Sequence, residues 1–147
     1  MRIWIAGVLA SLAIGCGGDA GTGLGGTDIR GQWSYDVTNL SLGGVTCVEH
    51  GTTLTITNES GGTFSGSYSG GTWVCSGAGG TDSSAIGTGT LINGVIKQDT
   101  VRFYPDDNNW YSVGTLTGAT MAGTANLRFP QSTTPVVVAA NWSAAKH

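Results

Sequence analysis

Thr53 to Tyr68 reads T-L-T-I-T-N-E-S-G-G-T-F-S-G-S-Y. Leu54 and Ile56 alternate with Thr53, Thr55 and Thr57, so on an extended chain the two sets leave from opposite faces. Asn58-Glu59-Ser60-Gly61-Gly62 interrupts the pattern with turn formers. The alternation then resumes: Phe64, Gly66 and Tyr68 share one face, and Thr63, Ser65 and Ser67 the other. A period of two, built from β-branched and aromatic residues and broken by glycine, predicts a half-buried antiparallel hairpin.

The rest of the chain has the same texture. Its 147 residues include 26 Gly and 5 Trp; 39% are hydrophobic and only 10% are charged. Glycine at that level, with abundant Ser and Thr, also occurs in disordered chains. Here the low charge and the Trp-containing apolar segments let burial offset chain entropy. Short strands joined by glycine turns account for the composition, and the length suits one domain with a core. Net charge is −3, and the six basic residues (Arg2, Arg30, Lys97, Arg102, Arg128, Lys146) are scattered. The lack of a basic stripe argues against nucleic acid or an anionic membrane surface as partner.

Taken in order, Gly31 to Val37 predicts a first strand, with Trp33, Tyr35 and Val37 on one face. A long connection, Thr38 to Gly51, holds Cys47, Glu49 and His50, and the opening hairpin then supplies strands two and three. Gly70 to Ser84 reads as a second long loop, with Trp73 and Cys75. Ala85 to Leu91 predicts strand four. Asn93-Gly94 is a strong hairpin signal and leads into strand five, ending at Tyr104. After a polar turn at Pro105–Asn109, Trp110–Leu116, Thr120–Phe129 and Val136–Trp142 predict strands six to eight, with a loop at Pro130–Pro135. No segment sustains a helical period. The expected fold is all-β: an eight-stranded antiparallel up-and-down β-barrel, closed so that no edge is exposed. Its expected core is Trp33, Tyr35, Leu54, Ile56, Phe64, Tyr68, Leu91, Val101, Phe103, Leu116, Met121, Leu127, Val138 and Trp142.

Three segments are expected: a signal peptide at residues 1–15, a Gly-rich tether at 16–28, and the barrel domain at 29–147. Arg2 precedes an apolar run from Ile3 to Ile14, too short for the ~20 helical residues that span a bilayer. Ala13-Ile14-Gly15-Cys16 resembles the bacterial lipobox, which implies cleavage before Cys16 and its lipidation. The tether then holds the domain ~20 Å from its anchor. Gly17, where enterobacterial sorting uses Asp to retain a lipoprotein, points by that resemblance to the outer membrane. Cysteine usage agrees, because an odd cysteine is awkward in an exported protein. With Cys16 acylated, Cys47 and Cys75 remain to pair in an oxidising compartment. Zinc, the competing use, needs two more ligands, and His50 is the one plausible candidate.

G-Q-W from Gly31, T-L-T-I followed by G-G-T-F-S-G-S-Y, and M-A-G-T from Met121 together resemble the avidin-type barrel, a lipocalin-like, calycin-type fold. The likeness runs from Gly31 to Trp142. Avidins bind biotin. Residue by residue, the resemblance carries Tyr68, at the family's ligand-binding Tyr of the third strand, and Trp142, near the late Trp that caps a neighbour's site. Tyr35 stands where the family has a polar ligand contact. Strand seven reads T-A-N-L without the family's Trp, and His147 ends the chain before the family's buried Asp. The resemblance thus implies the barrel, and biotin binding is not expected.

In a meander, the loops after strands one, three, five and seven emerge at one end. The expected Cys47–Cys75 bond would tie the two longest loops across that mouth, contributing ~3–4 kcal/mol in the chain-entropy account. The mouth residues Glu49, His50, Trp73, Asp106, Asp107 and Trp110, with Tyr35 and Tyr68 in the barrel, form the candidate ligand site. A solid barrel plugged by the aromatics is the competing reading. Catalysis is not expected: only His50 could serve as a base, and no serine is spaced to use it. Asp106-Asp107 lacks the spacing of a calcium loop and reads as a solvated turn, and Glu49-His50 reads as a surface pair. No cofactor or metal is expected. The functional expectation is an exported, non-enzymatic binding lipoprotein for a small, partly apolar ligand. An inhibitor of a lytic enzyme, or a structural surface protein, is the alternative. Ser65-Gly66-Ser67-Tyr68 resembles the lysozyme-inhibitor loop of small barrels, one residue short and within a strand.

Overall fold

Alternation of apolar and polar residues produces nine strands among the described residues. They are β1 (Gly31–Leu42), β2 (Val45–Ser60), β3 (Thr63–Gly77), β4 (Gly80–Ala85), β5 (Thr88–Lys97), β6 (Thr100–Pro105), β7 (Trp110–Thr117), β8 (Thr120–Phe129) and β9 (Val136–Lys146). The structure, a computed structural model, describes residues 28–105, 110–129 and 136–147. The leader expected at 1–15, Cys16, the tether up to residue 27 and the loops holding Asp106–Asn109 and Pro130–Pro135 lie outside the described residues.

Every ladder is antiparallel. The order runs β2-β1-β9-β8-β7-β6-β5-β3, and β2 pairs back with β3. Eight strands therefore close into the up-and-down barrel that the alternation predicts, compatible with a calycin-like fold. Closure gives each ring strand two partners, so the ring has no free edge. β4 stands outside the ring and pairs with β3.

Two stretches expected as loops are strands instead. β1 continues to Leu42, turns at Gly43-Gly44 and returns as β2; β3 runs on to Gly77 and folds back as β4. The cause is a set of bulges. Asn39 (φ 59°), Gly51 (φ 77°) and Gly71 (φ 90°) take left-handed backbone, which inserts an irregular step and lets pairing go on beyond it. In the sequence such a step breaks the period of two and so looks like the end of a strand. Asn93-Gly94 misleads in the same way. It lies within β5, with Asn93 at φ 52°, and the β5–β6 turn is made by Gln98-Asp99. Gly94 is where β5 crosses Phe64; a Cβ there would lie 2.6 Å from the Phe64 ring.

The end of the barrel carrying the β2–β3, β5–β6 and β7–β8 turns is solid. Ile29 and Trp33 are both 0% exposed there. The Trp33 indole donates to the Ile29 carbonyl at 2.8 Å, and the Ile29 amide donates to the Glu59 carboxylate at 3.1 Å. Lys146 Nζ donates to the Asp28 carbonyl at 2.7 Å and lies 5.7 Å from the Trp33 ring centroid. Above this plug comes a layer of rings. Trp142 meets Phe103 edge-on at 5.4 Å and stacks on Tyr35 at 5.6 Å, while Phe103 meets Phe64 at 6.2 Å. Burying each such side chain stabilises by ~2–3 kcal/mol. Of the expected core, only Tyr68 is less than fully buried, packed against the cluster from its margin.

Trp142 shows how the layer is keyed. Its indole crosses Gly123 and Gly114, paired glycines on β8 and β7, and donates to the carbonyls of Val113 (3.2 Å) and Thr124 (3.1 Å). A Cβ at Gly114 would meet the Ala122 carbonyl and stand 2.6 Å from Trp142 Cζ2. Neither the ladder nor a ring held by two hydrogen bonds can yield cheaply. Gly114→Ala is therefore expected to cost ~1–3 kcal/mol, read as a lower urea midpoint. An unchanged midpoint would mean that Trp142 is not held against β7.

Candidate ligand pocket at the open end

The opposite end is hollow. Its floor is Tyr35 from β1 and Leu54 from β2, and its walls are Glu49 and Thr52 from β2, Tyr68 and Trp73 from β3, Pro105 from β6 and Trp110 from β7, with Ile86 behind β4. The cavity measures about 320 Å³ and opens to solvent. That is at the lower end of the ~300–1,000 Å³ usual for small-ligand sites.

Glu49 reaches the interior because of Gly51. Leu54 and Ile56 face inward, so an unbroken strand would also turn Thr52 and His50 inward and Glu49 outward. Between Tyr35↔Thr52 and Val37↔Glu49, β2 has one residue more than β1. This bulge reverses the alternation: Thr52 stays inside, His50 goes out, and Glu49 turns in at 3% exposure. β3 reverses opposite it. Gly70 and Gly71 carry positive φ, and Trp73, not Thr72, joins Tyr68 at the cavity. The two reversals match, so Glu49 remains directly paired with Trp73. A side chain at Gly71 would run into Thr52 Oγ1, so the crossing also depends on bare backbone.

The Cys47–Cys75 disulfide forms, with the two Cα atoms 4.0 Å apart. It does not span the mouth from loop to loop, as expected from the sequence. It joins adjacent strands in register, two residues from Glu49 on β2 and two from Trp73 on β3. It thus staples the wall that carries both. The reason is the one above: the segments taken for loops are a continuous ladder.

Of the eight candidate ligand residues, Tyr35, Tyr68, Trp73, Trp110 and Glu49 line this cavity. His50 does not. It is exposed on the outer face, with Nδ1 3.6 Å from Asp36 Oδ1. Glu49-His50 is therefore no joint ligand pair, nor are both members at the surface. Asp106 and Asp107 lie outside the described residues. Ser65-Gly66-Ser67-Tyr68 lies within β3. The alternation on β7 also places Ser112 inside, a residue the sequence reading passed over. It is 0% exposed, accepts from the Trp110 indole at 3.1 Å and bonds the Tyr35 hydroxyl at 3.3 Å. Trp73 and Trp110 meet at 5.4 Å over the pocket. Among the described residues, every buried side-chain nitrogen or oxygen has a partner, and no three of His, Cys, Asp and Glu are grouped to hold a metal.

Burial pushes the Glu49 carboxyl up from 4.5 to about 7; a hydrogen bond from Thr52 opposes the shift, and the charge of Asp36 adds to it. Burial likewise pushes the Tyr35 phenol well above its ordinary range, with the Ser112 bond opposing. Between pH 4.5 and about 7 the folded protein keeps a proton on Glu49 that the unfolded chain has lost. Stability therefore falls as pH rises through that window and levels off above it. The shift corresponds to ~1–3 kcal/mol once discounted for the cavity's opening to solvent. Melting temperature followed from pH 4.5 to 8 should show this fall, and Glu49→Gln should flatten it. A variant that keeps the parent's slope would assign the effect elsewhere.

Compared with family models, curated proteins and solved structures, the chain matches none, and what its pocket can hold follows from the residues that line it.

Proposed function

We propose that this chain is an exported envelope lipoprotein whose barrel binds a small, partly apolar ligand in the open end and performs no catalysis. One observation carries the binding reading: the barrel is packed solid in one half and hollow in the other. The hollow half is where Tyr35, Tyr68, Trp73 and Trp110 converge with few polar groups, as ligand sites do. A plugged structural barrel would fill both halves. Among the described residues no imidazole lines the cavity beside Glu49, and His50, the base weighed from the sequence, faces outward. The envelope address is proposed from residues 1–28, where the lipobox-like Ala13–Cys16 precedes a glycine tether. Within this reading the barrel is avidin-like in architecture and does not bind biotin.

The disulfide has a role here. Without it, the Glu49–Trp73 wall is free to fray from the exposed side of β4, and a site that must order on binding binds more weakly. Titration with an environment-sensitive apolar dye such as 1-N-phenylnaphthylamine should give saturable binding that quenches Trp emission. Trp73→Ala should weaken it about tenfold or more, and reduction of Cys47–Cys75 should weaken it too. If no small apolar probe saturates, the pocket reading fails. Mass spectrometry of the protein extracted from membranes should find an acylated Cys16; an unmodified N-terminus would remove the anchor.

A further inference from the structure

The cavity's electrostatics select among partly apolar ligands. Among the described residues its lining has one carboxyl group, Glu49, and no Lys, Arg or His. Thr52 Oγ1, which donates to the Gly70 carbonyl at 3.4 Å, is also a hydrogen-bond partner of the carboxyl. The other polar atoms at the wall belong largely to aromatic side chains, whose ring faces carry negative potential. Tyr35 and Tyr68 approach from below, and Trp73 and Trp110 meet above at 5.4 Å. An anionic ligand would meet like charge with no compensating cation among the described residues. A neutral ligand would use the rings and leave the carboxyl to hold a proton. A positive ligand would satisfy carboxyl and rings together.

We propose that the pocket is a site for an organic ammonium ion with an apolar body, held by the Glu49 carboxylate and the surrounding aromatic rings. This rests on the pocket reading above and narrows its ligand class. The cation takes the place of the proton, so binding and protonation of Glu49 compete, and affinity rises with pH until the carboxyl is fully ionised. Among the described residues the neighbouring titratable groups are Tyr35 on β1 and Tyr68 on β3, within the cavity, and Asp36 on β1 and His50 on β2, which pair on the outer face. Tyr35 stays neutral throughout the range, because burial raises it.

The test compares benzyltrimethylammonium, whose charge does not change with pH, with its neutral carbon isostere neopentylbenzene. Binding is read by Trp fluorescence or calorimetry at pH 5.5 and 8.5. At pH 8.5 the cation should bind roughly tenfold or more tightly than the isostere. Its affinity should fall on acidification through about 7, the value to which Glu49 is raised, while that of the isostere stays level. Glu49→Gln should remove both the preference and the pH dependence; His50→Gln should change neither. If the isostere binds and the cation binds no tighter, the ammonium proposal is overturned and the apolar pocket stands. If neither binds, the pocket reading falls with it. A cation preference that survives Glu49→Gln, or a pH dependence lost in His50→Gln, overturns the assignment to Glu49. The comparison in the unmodified protein stands whether or not a variant folds.

Discussion

A β-strand offers its side chains to two faces in strict alternation, and only a bulge changes which residues get which face. In this barrel that rule decides the chemistry of the pocket. At Gly51, β2 gives up its regular step and exchanges His50 for Glu49 on the inner face. At Gly70-Gly71, β3 does the same and presents Trp73. Had only one strand reversed, the pairing between them would have slipped, with Glu49 and Trp73 on opposite faces. Because both reverse at the same level, the ladder carries on above the crossing, as far as Thr46 opposite Ser76. The disulfide then closes across a pair that this shared register has already brought opposite.

The two halves of the barrel have different packing. In the solid half, large side chains interlock with bare backbone: Trp142 over Gly114 and its partner Gly123, Phe64 against Gly94, and the Trp33 indole on the Ile29 carbonyl. Bulk on one strand is matched by its absence on the next, so the interior fills without enlarging the ring. In the hollow half the aromatics are not met this way. Tyr35 marks the border. Its ring stacks on Trp142 as part of the solid half, while its hydroxyl reaches Ser112, which also holds the Trp110 indole of the pocket wall.

What was legible in the sequence follows the same division. Wherever the period of two ran unbroken, in Trp33–Val37, Leu54–Ile56, Phe64–Tyr68 and Met121–Leu127, strand and inner face could both be read from spacing alone. The aromatic members of the pocket were legible because large apolar residues near a barrel mouth have few other places to go. The bulges were not. A left-handed glycine and a turn glycine look alike in sequence, and the difference lies in a partner strand far along the chain. Hence Thr38–Gly51 and Gly70–Ser84 looked like loops, Asn93-Gly94 like a turn, and Glu49 and His50 like equivalent neighbours. The clue that did exist was non-local: the glycine breaks at Gly51 and Gly70-Gly71 face each other across the hairpin that joins their strands.

Features that cost stability without any local return are gathered at one end of this molecule. A buried carboxyl raised to about 7, indoles left half-buried, and an unfilled volume of about 320 Å³ all lie within the upper barrel. A leucine at position 49 would remove the first and shrink the last, and nothing in the ladder forbids it. In the solid half the indoles of Trp33 and Trp142 are fully buried, and the Trp33 indole and the Ile29 amide are partnered. A fold optimised for its own sake would not segregate its defects so cleanly, whereas a fold that must leave room for something else has reason to. The chemistry of that room, where among the described residues one acid stands among rings with no lining base, then limits what it can receive more tightly than its size does.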